Sequence, residues 1–187
     1  MLNKQINVDV YSWRIFHRNA VIKALQSVLA SKRPLFERYV CWEDSGVNSS
    51  LGQCSCGETR VKINLPEKLE YYRPRACDCD FCVARNISYL SHPDGELEIE
   101  SVKPLEVQRQ GSGQASFITC SSCKSVIATS LQLENKLIGA LNSTLLFDFS
   151  LLQKSTIASP KQLGAREKVE RWQTLWLNIL VNGVSRV

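Results

Sequence analysis

Between residues 46 and 150 the chain alternates between apolar and polar positions. Val61, Ile63 and Leu65 are separated by Lys62 and Asn64, Arg60 continues the polar side, and Pro66 ends the run. Successive side chains of a strand point to opposite faces, so a period of two predicts a half-buried strand. Similar short runs recur at Leu97 to Ile99, Leu105 to Val107, Ser116 to Ile118, Ser125 to Leu133 and Leu137 to Leu141. Turn formers punctuate them: Pro93-Asp94-Gly95, Gly111-Ser112-Gly113 and Glu134-Asn135. Short strands spaced by turns predict an antiparallel, mainly β domain over 46–150 rather than a series of βαβ units.

Both flanks carry the helical period instead. Trp13, Phe16, Ala20, Val21, Ala24, Leu25 and Val28 recur at i, i+3 and i+4 spacing, predicting a helix over about 12–31 that stops before Pro34. Residues 1–45 thus read as a basic helical extension, dispensable for folding of the β domain. In the tail, Ser159 and Pro160 form a cap and first turn. Val169, Trp172, Leu175, Trp176, Ile179 and Leu180 make one stripe, and Asn182-Gly183 closes it. Residues 151–187 are therefore expected to form an amphipathic helix packed on the domain.

Charge sharpens this division. The 187-residue chain carries a formal +5, but the basicity belongs to the flanks. Residues 46–150 hold 10 Lys and Arg against 12 Asp and Glu, whereas 1–45 hold 7 against 4 and 151–187 hold 6 against 2. A mildly acidic central domain disfavours nucleic acid as a partner. No run approaches membrane-spanning length. The most apolar N-terminal stretch, Val21 to Ala30, is broken by Lys23 and Gln26, unlike a secretory signal. A cytoplasmic protein is expected.

Seven of the eight cysteines fall into tight clusters: Cys54-Ser-Cys56, Cys77-Asp-Cys79-Asp-Phe-Cys82 and Cys120-Ser-Ser-Cys123. In a reducing compartment such clusters are ligands or redox groups more often than disulfides. A tetrahedral zinc with bonds of about 2.3 Å requires sulfurs roughly 3.8 Å apart, within reach of C-x-C and C-x-x-C turns. Seven thiolates exceed the needs of one tetrahedral ion, which implies two sites, one of four cysteines and one of three. A site with three protein ligands keeps a position open for water or substrate. Cys41 has no partner at comparable spacing and is expected to be a free or buried thiol.

The order Gly52-Gln-Cys54-Ser-Cys56-Gly57, then Cys77-Asp-Cys79-Asp-Phe-Cys82, then Phe117-Ile-Thr-Cys120-Ser-Ser-Cys123 resembles the family of glutathione-dependent formaldehyde-activating enzymes, which includes centromere protein V. The strand Thr59 to Leu65 and Gly139-Ala-Leu-Asn142 are similar to the family as well, so the resemblance spans about 50–150. It implies an antiparallel β fold with two zinc ions. It places Cys54, Cys56, Cys120 and Cys123 on a structural zinc, and Cys77, Cys79 and Cys82 on a zinc associated with substrate. The reaction it implies is carbon–sulfur bond formation between glutathione and formaldehyde, giving S-hydroxymethylglutathione. Two segments depart from the family pattern: Val83-Ala-Arg85-Asn86-Ile87-Ser88 replaces an Arg, basic, Thr/Ser-Gly loop, and Lys124 stands where a glycine is common.

Other candidate groups are few. Arg85 could hold a glutathione carboxylate bidentately. Asp78 and Asp80 sit inside the three-cysteine cluster, where carboxylates commonly orient ligands from outside the coordination sphere. His92, in a Ser-His-Pro-Asp-Gly run, reads as a turn residue. Three functions follow: a zinc carbon–sulfur lyase acting on thiol–aldehyde adducts, a zinc-stabilised binding module without catalysis, and a zinc ribbon of Cys79, Cys82, Cys120 and Cys123 directed at nucleic acid. The ribbon strands three cysteines and ranks last.

Overall fold

The computed structural model describes residues 48–183, which belong to a unit running from Gly46 to Val187. The helix expected over 12–31 and Cys41 lie outside the described residues. Among those described, eleven strands join in one sheet. They are β1 (Ser49–Gln53), β2 (Thr59–Asn64), β3 (Arg75–Cys77), β4 (Ser88–Leu90), β5 (Glu96–Ser101), β6 (Glu106–Arg109), β7 (Ser116–Thr119), β8 (Val126–Gln132), β9 (Leu137–Asn142), β10 (Thr156–Ala158) and β11 (Leu177–Val181). Two α-helices accompany them, α1 (Asp80–Val83) and α2 (Ala165–Leu175).

The strand order β1-β2-β5-β11-β9-β4-β3-β10 forms one path, and β6-β7-β8 continues from β9 as a meander. Most pairings are antiparallel, as the turn-spaced pattern predicts. Two are parallel, β11 with β5 and β10 with β3, so the sheet is mixed rather than purely antiparallel. Both parallel strands come from the tail, which returns to the sheet after long excursions.

The alternation in β2 is real: Val61 and Ile63 are fully buried while Arg60 and Lys62 are partly exposed. They meet Leu97 and Ile99 of β5, and Ile118, Ile127, Leu141, Leu177 and Ile179 complete the core. Full burial of such a side chain is worth about 1.5–3 kcal/mol. Gly139 of β9 lies so close to the Thr129 carbonyl and Ile179 that a β-carbon there would overlap both. Glycine lets β8, β9 and β11 approach one another.

The tail corrects the expected helix. Pro160–Gln162 form a 3₁₀ turn, and α2 starts at Ala165, where Glu167 Oε2 accepts from the Gly164 N–H at 2.7 Å. The helix stops at Leu175, whose carbonyl accepts a hydrogen bond from Ser91 Oγ at 2.8 Å. Residues Leu177, Ile179 and Val181 then alternate inward with exposed Asn178 as strand β11, between β5 and β9. The Trp176 to Val181 run, apolar except for Asn178, fits either period, and pairing with β5 and β9 decides for the strand. No described helix is long and apolar enough to cross a membrane.

Candidate metal centres

The first cluster is built by two knuckles. After β1, the Cys54 carbonyl accepts from Gly57 N–H at 3.0 Å, Gly57 takes a left-handed φ of 76°, and the Thr59 N–H points at Cys54 Sγ at 3.3 Å. Between β7 and β8, the Cys120 carbonyl accepts from Lys124 N–H at 2.9 Å, with Lys124 itself at φ 60°. That left-handed geometry suits glycine, which is why a glycine is natural at this position and why lysine is strained there. Gly52, just before the first knuckle, backs onto the Leu145 carbonyl with no room for a β-carbon.

The two knuckles face each other. Cys54 Sγ lies 3.5 Å from Cys56 Sγ, and Cys56 Sγ lies 3.7 Å from Cys120 Sγ. All four sulfurs fall within 4.8 Å of one another. These spacings match the roughly 3.8 Å of a tetrahedral thiolate site. Ser55 Oγ and Ser125 Oγ join the loops at 3.2 Å, and Glu58 accepts from both Ser122 Oγ and Lys103 Nζ. Cys54 and Cys120 are buried and Cys56 is exposed. Burial opposes ionisation of Cys123, but hydroxyls of Ser125 and Ser55 hold its thiol down at about 5. A negative charge is thus already favoured at the centre.

The second cluster lies on another part of the sheet. Cys77 ends β3, Cys79 precedes α1 and Cys82 lies within it, with Val83 N–H bonded to the Cys79 carbonyl at 2.9 Å. Their sulfurs are also mutually within 4.8 Å. Contact with the Cys82 thiol holds Cys77 down at about 6, and the Cys77 neighbour pushes Cys82 up in return. Tyr89 Oη sits 3.5 Å from Cys82 Sγ; burial, then the cysteines, push its phenol up, so it remains a donor. Three soft donors around one retained negative charge fit a divalent ion with an open position. The seven described cysteines are all free thiols, so none is bridged as a disulfide.

A cavity of about 730 Å³ opens on this second cluster, and no cysteine of the first lines it. Cys77, Cys79 and Cys82 line it with Tyr89, Phe81 and Phe117. Its other wall comes from the tail: Ile157 to Leu163, then Lys168, Arg171, Trp172, Leu175 and Trp176. The two indoles stack with centroids 4.7 Å apart. Arg75 enters from β3, where burial and the charge of Arg171 lower its guanidinium below the ordinary value.

The chain matches no family model and no curated protein. Among solved structures it is similar to a Rhodobacter sphaeroides protein determined in a structural genomics programme, at 19% identity and a TM-score of 0.41, covering 56% of this chain and 99% of that one. That structure carries no functional name.

The structure brings Cys54, Cys56, Cys120 and Cys123 together, and separately Cys77, Cys79 and Cys82. The alternative ribbon of Cys79, Cys82, Cys120 and Cys123 is not formed, because its halves belong to different clusters. Arg85 is not among the cavity-lining residues. Its guanidinium stacks 4.0 Å over the Phe81 ring and donates to the Phe81 carbonyl at 3.1 Å, as residues four apart on one helical turn can. Asp78 is tied away from the sulfurs, accepting from Ser159 Oγ at 2.8 Å and Lys161 Nζ at 3.2 Å. Asp80 does line the cavity. His92 is a turn residue, its carbonyl accepting from Gly95 N–H at 2.9 Å. Sequence reasoning passed over Arg75, Tyr89, Lys168 and Arg171. The available signal was Lys168 and Arg171 beside Trp172 and Leu175, at i, i+3, i+4 and i+7 of the tail helix.

Proposed function

We propose that this protein is a zinc-dependent carbon–sulfur lyase of the glutathione-dependent formaldehyde-activating type, with Cys54, Cys56, Cys120 and Cys123 on a structural zinc. The observation that carries the reading is asymmetry between the clusters: three cysteines line a large cavity, while the other four make up a full tetrahedral ligand set among themselves. A structural zinc site uses four protein ligands and a reactive one keeps a position free. A zinc ion bound at the three-cysteine site would supply a Lewis acid that favours the thiolate of an incoming thiol or polarises an aldehyde carbonyl.

The chain's own residues do the rest. Phe81, Phe117, Trp172 and Trp176 give the cavity an apolar lining, against which polar interactions are stronger than in open water. Cys77, Cys79 and Cys82 fix where sulfur chemistry takes place. In the reaction the thiol sulfur attacks the aldehyde carbon, the C–S bond forms, the carbonyl π pair moves to oxygen, and that oxygen takes up the proton the thiol has lost. Tyr89 Oη, buried and protonated beside Cys82, is the hydrogen-bond donor placed to meet a developing alkoxide.

Glutathione and ¹³C-formaldehyde, followed by NMR exchange spectroscopy, test this reading. Zinc-loaded protein is expected to accelerate interconversion of free thiol and hydroxymethyl adduct, and Tyr89→Phe to slow it by about 10²-fold, the scale of one lost transition-state donor. An exchange rate equal to the spontaneous one would leave the second reading, a zinc-stabilised binding module. The engagement of Arg85, in the divergent Val83 to Ser88 segment, with Phe81 rather than with the cavity favours that module, since it removes one expected contact.

A further inference from the structure

We propose that Arg171 and Lys168 of α2, with Arg75 of β3, form a carboxylate-binding wall of the cavity, which makes the site selective for a thiol carrying carboxylates remote from its sulfur. This rests on the thiol reading above and names the substrate class more narrowly. Lys168, Arg171, Trp172 and Leu175 all line the cavity, at i, i+3, i+4 and i+7 of one helix. Arg171 is exposed at the cavity mouth, and Lys168, Trp172 and Leu175 are half-buried. Two of the four positions here are cations.

Those charges are not matched by the protein. None of the ion pairs among the described residues involves Arg75, Lys168 or Arg171. The side-chain partner of Arg75 is the hydroxyl of Ser91, which in turn donates to the Leu175 carbonyl and so anchors β3's arginine to the end of α2. Lys161 also lines the cavity, but Asp78 neutralises it at 3.2 Å. Asp80 is the acid among the lining residues. Three cations against the Asp80 carboxylate and the one negative charge retained at the cysteines leave the cavity with a surplus positive charge. Guanidinium forks suit planar carboxylates. The stacked indoles add apolar surface to the same lining, on which the body of a short peptide can lie.

Calorimetry on the zinc-loaded full chain tests the wall, with glutathione and its diethyl ester as probes. The ester keeps the thiol and removes both carboxylate charges. The ester is expected to bind about tenfold more weakly, the loss of one charge-assisted contact. Arg171→Gln should weaken glutathione by a similar factor and leave the ester unchanged, with partial recovery in Arg171→Lys. Lys168→Gln guards against a folding defect at one position, and an unchanged far-ultraviolet spectrum checks both variants. Equal affinity for acid and ester, or equal losses for both in Arg171→Gln, would overturn the carboxylate wall and leave the thiol reading standing. Binding of neither probe would overturn the thiol reading, and the wall with it.

Discussion

At the residue scale, the four-cysteine cluster is braced by side chains that bond one another across its two knuckles. Glu58 follows the first knuckle, and it grips Ser122 of the second through its hydroxyl and Lys103 at 2.9 Å. The hydrogen bond from Ser122, then Lys103, lowers its carboxyl below the ordinary 4.5. A carboxylate with a lowered folded-state pKa stabilises above its unfolded pKa, and that contribution is lost as pH falls through the folded value. The stability gap between wild type and Glu58→Gln is therefore expected to be constant above pH 4.5 and to close on further acidification. Thermal unfolding of both proteins across that range checks the sign; a gap that widens in acid would contradict it. Lys124 is the opposite case, a residue whose left-handed φ of 60° opposes the local geometry it serves.

At the scale of elements, legibility followed pattern length. Strands β2, β8 and β9 were readable from alternation or a continuous apolar run over five or more positions, and β5, β6 and β7 from shorter runs at Leu97 to Ile99, Leu105 to Val107 and Ser116 to Ile118. Strands β3, β4 and β10 have three residues each and carry no apolar-polar-apolar alternation, and β1 is Ser-Ser-Leu-Gly-Gln with a single large apolar side chain. Strand β11 was misread as helix because its apolar run continues the stripe of α2, and only its neighbours distinguish the two. Ile179 is fully buried at the centre of β11. Ile179→Ala should cost about 2–5 kcal/mol, the range for truncating a buried isoleucine. Chemical denaturation measures this, and a cost below 1 kcal/mol, the scale of an exposed site, would show that β11 is not a core strand.

At the scale of the whole molecule, the sheet separates a closed cluster from an open one. The cysteine spacing alone made two centres legible, four ligands plus three, and the described residues group in that way. The cavity was not legible, because its far wall comes from the tail helix and β10, some 80 residues beyond Cys77 to Cys82 in sequence. Spacing rules see ligands that are near in the chain, and only tertiary folding brings Arg75, Lys168 and Arg171 to face one cavity. The closed cluster joins segments 64 residues apart at Cys56 and Cys120, so metal bound there is folding energy. The open cluster is local, and its loss should spare the fold. Zinc content by native mass spectrometry therefore tests the central claim most directly, on wild type, Cys79→Ser and Cys54→Ser. Two zinc ions are expected in wild type, one in a folded Cys79→Ser, and an unfolded, metal-poor Cys54→Ser. A single ion in the wild type, or two ions retained by Cys79→Ser, would contradict the two-centre account.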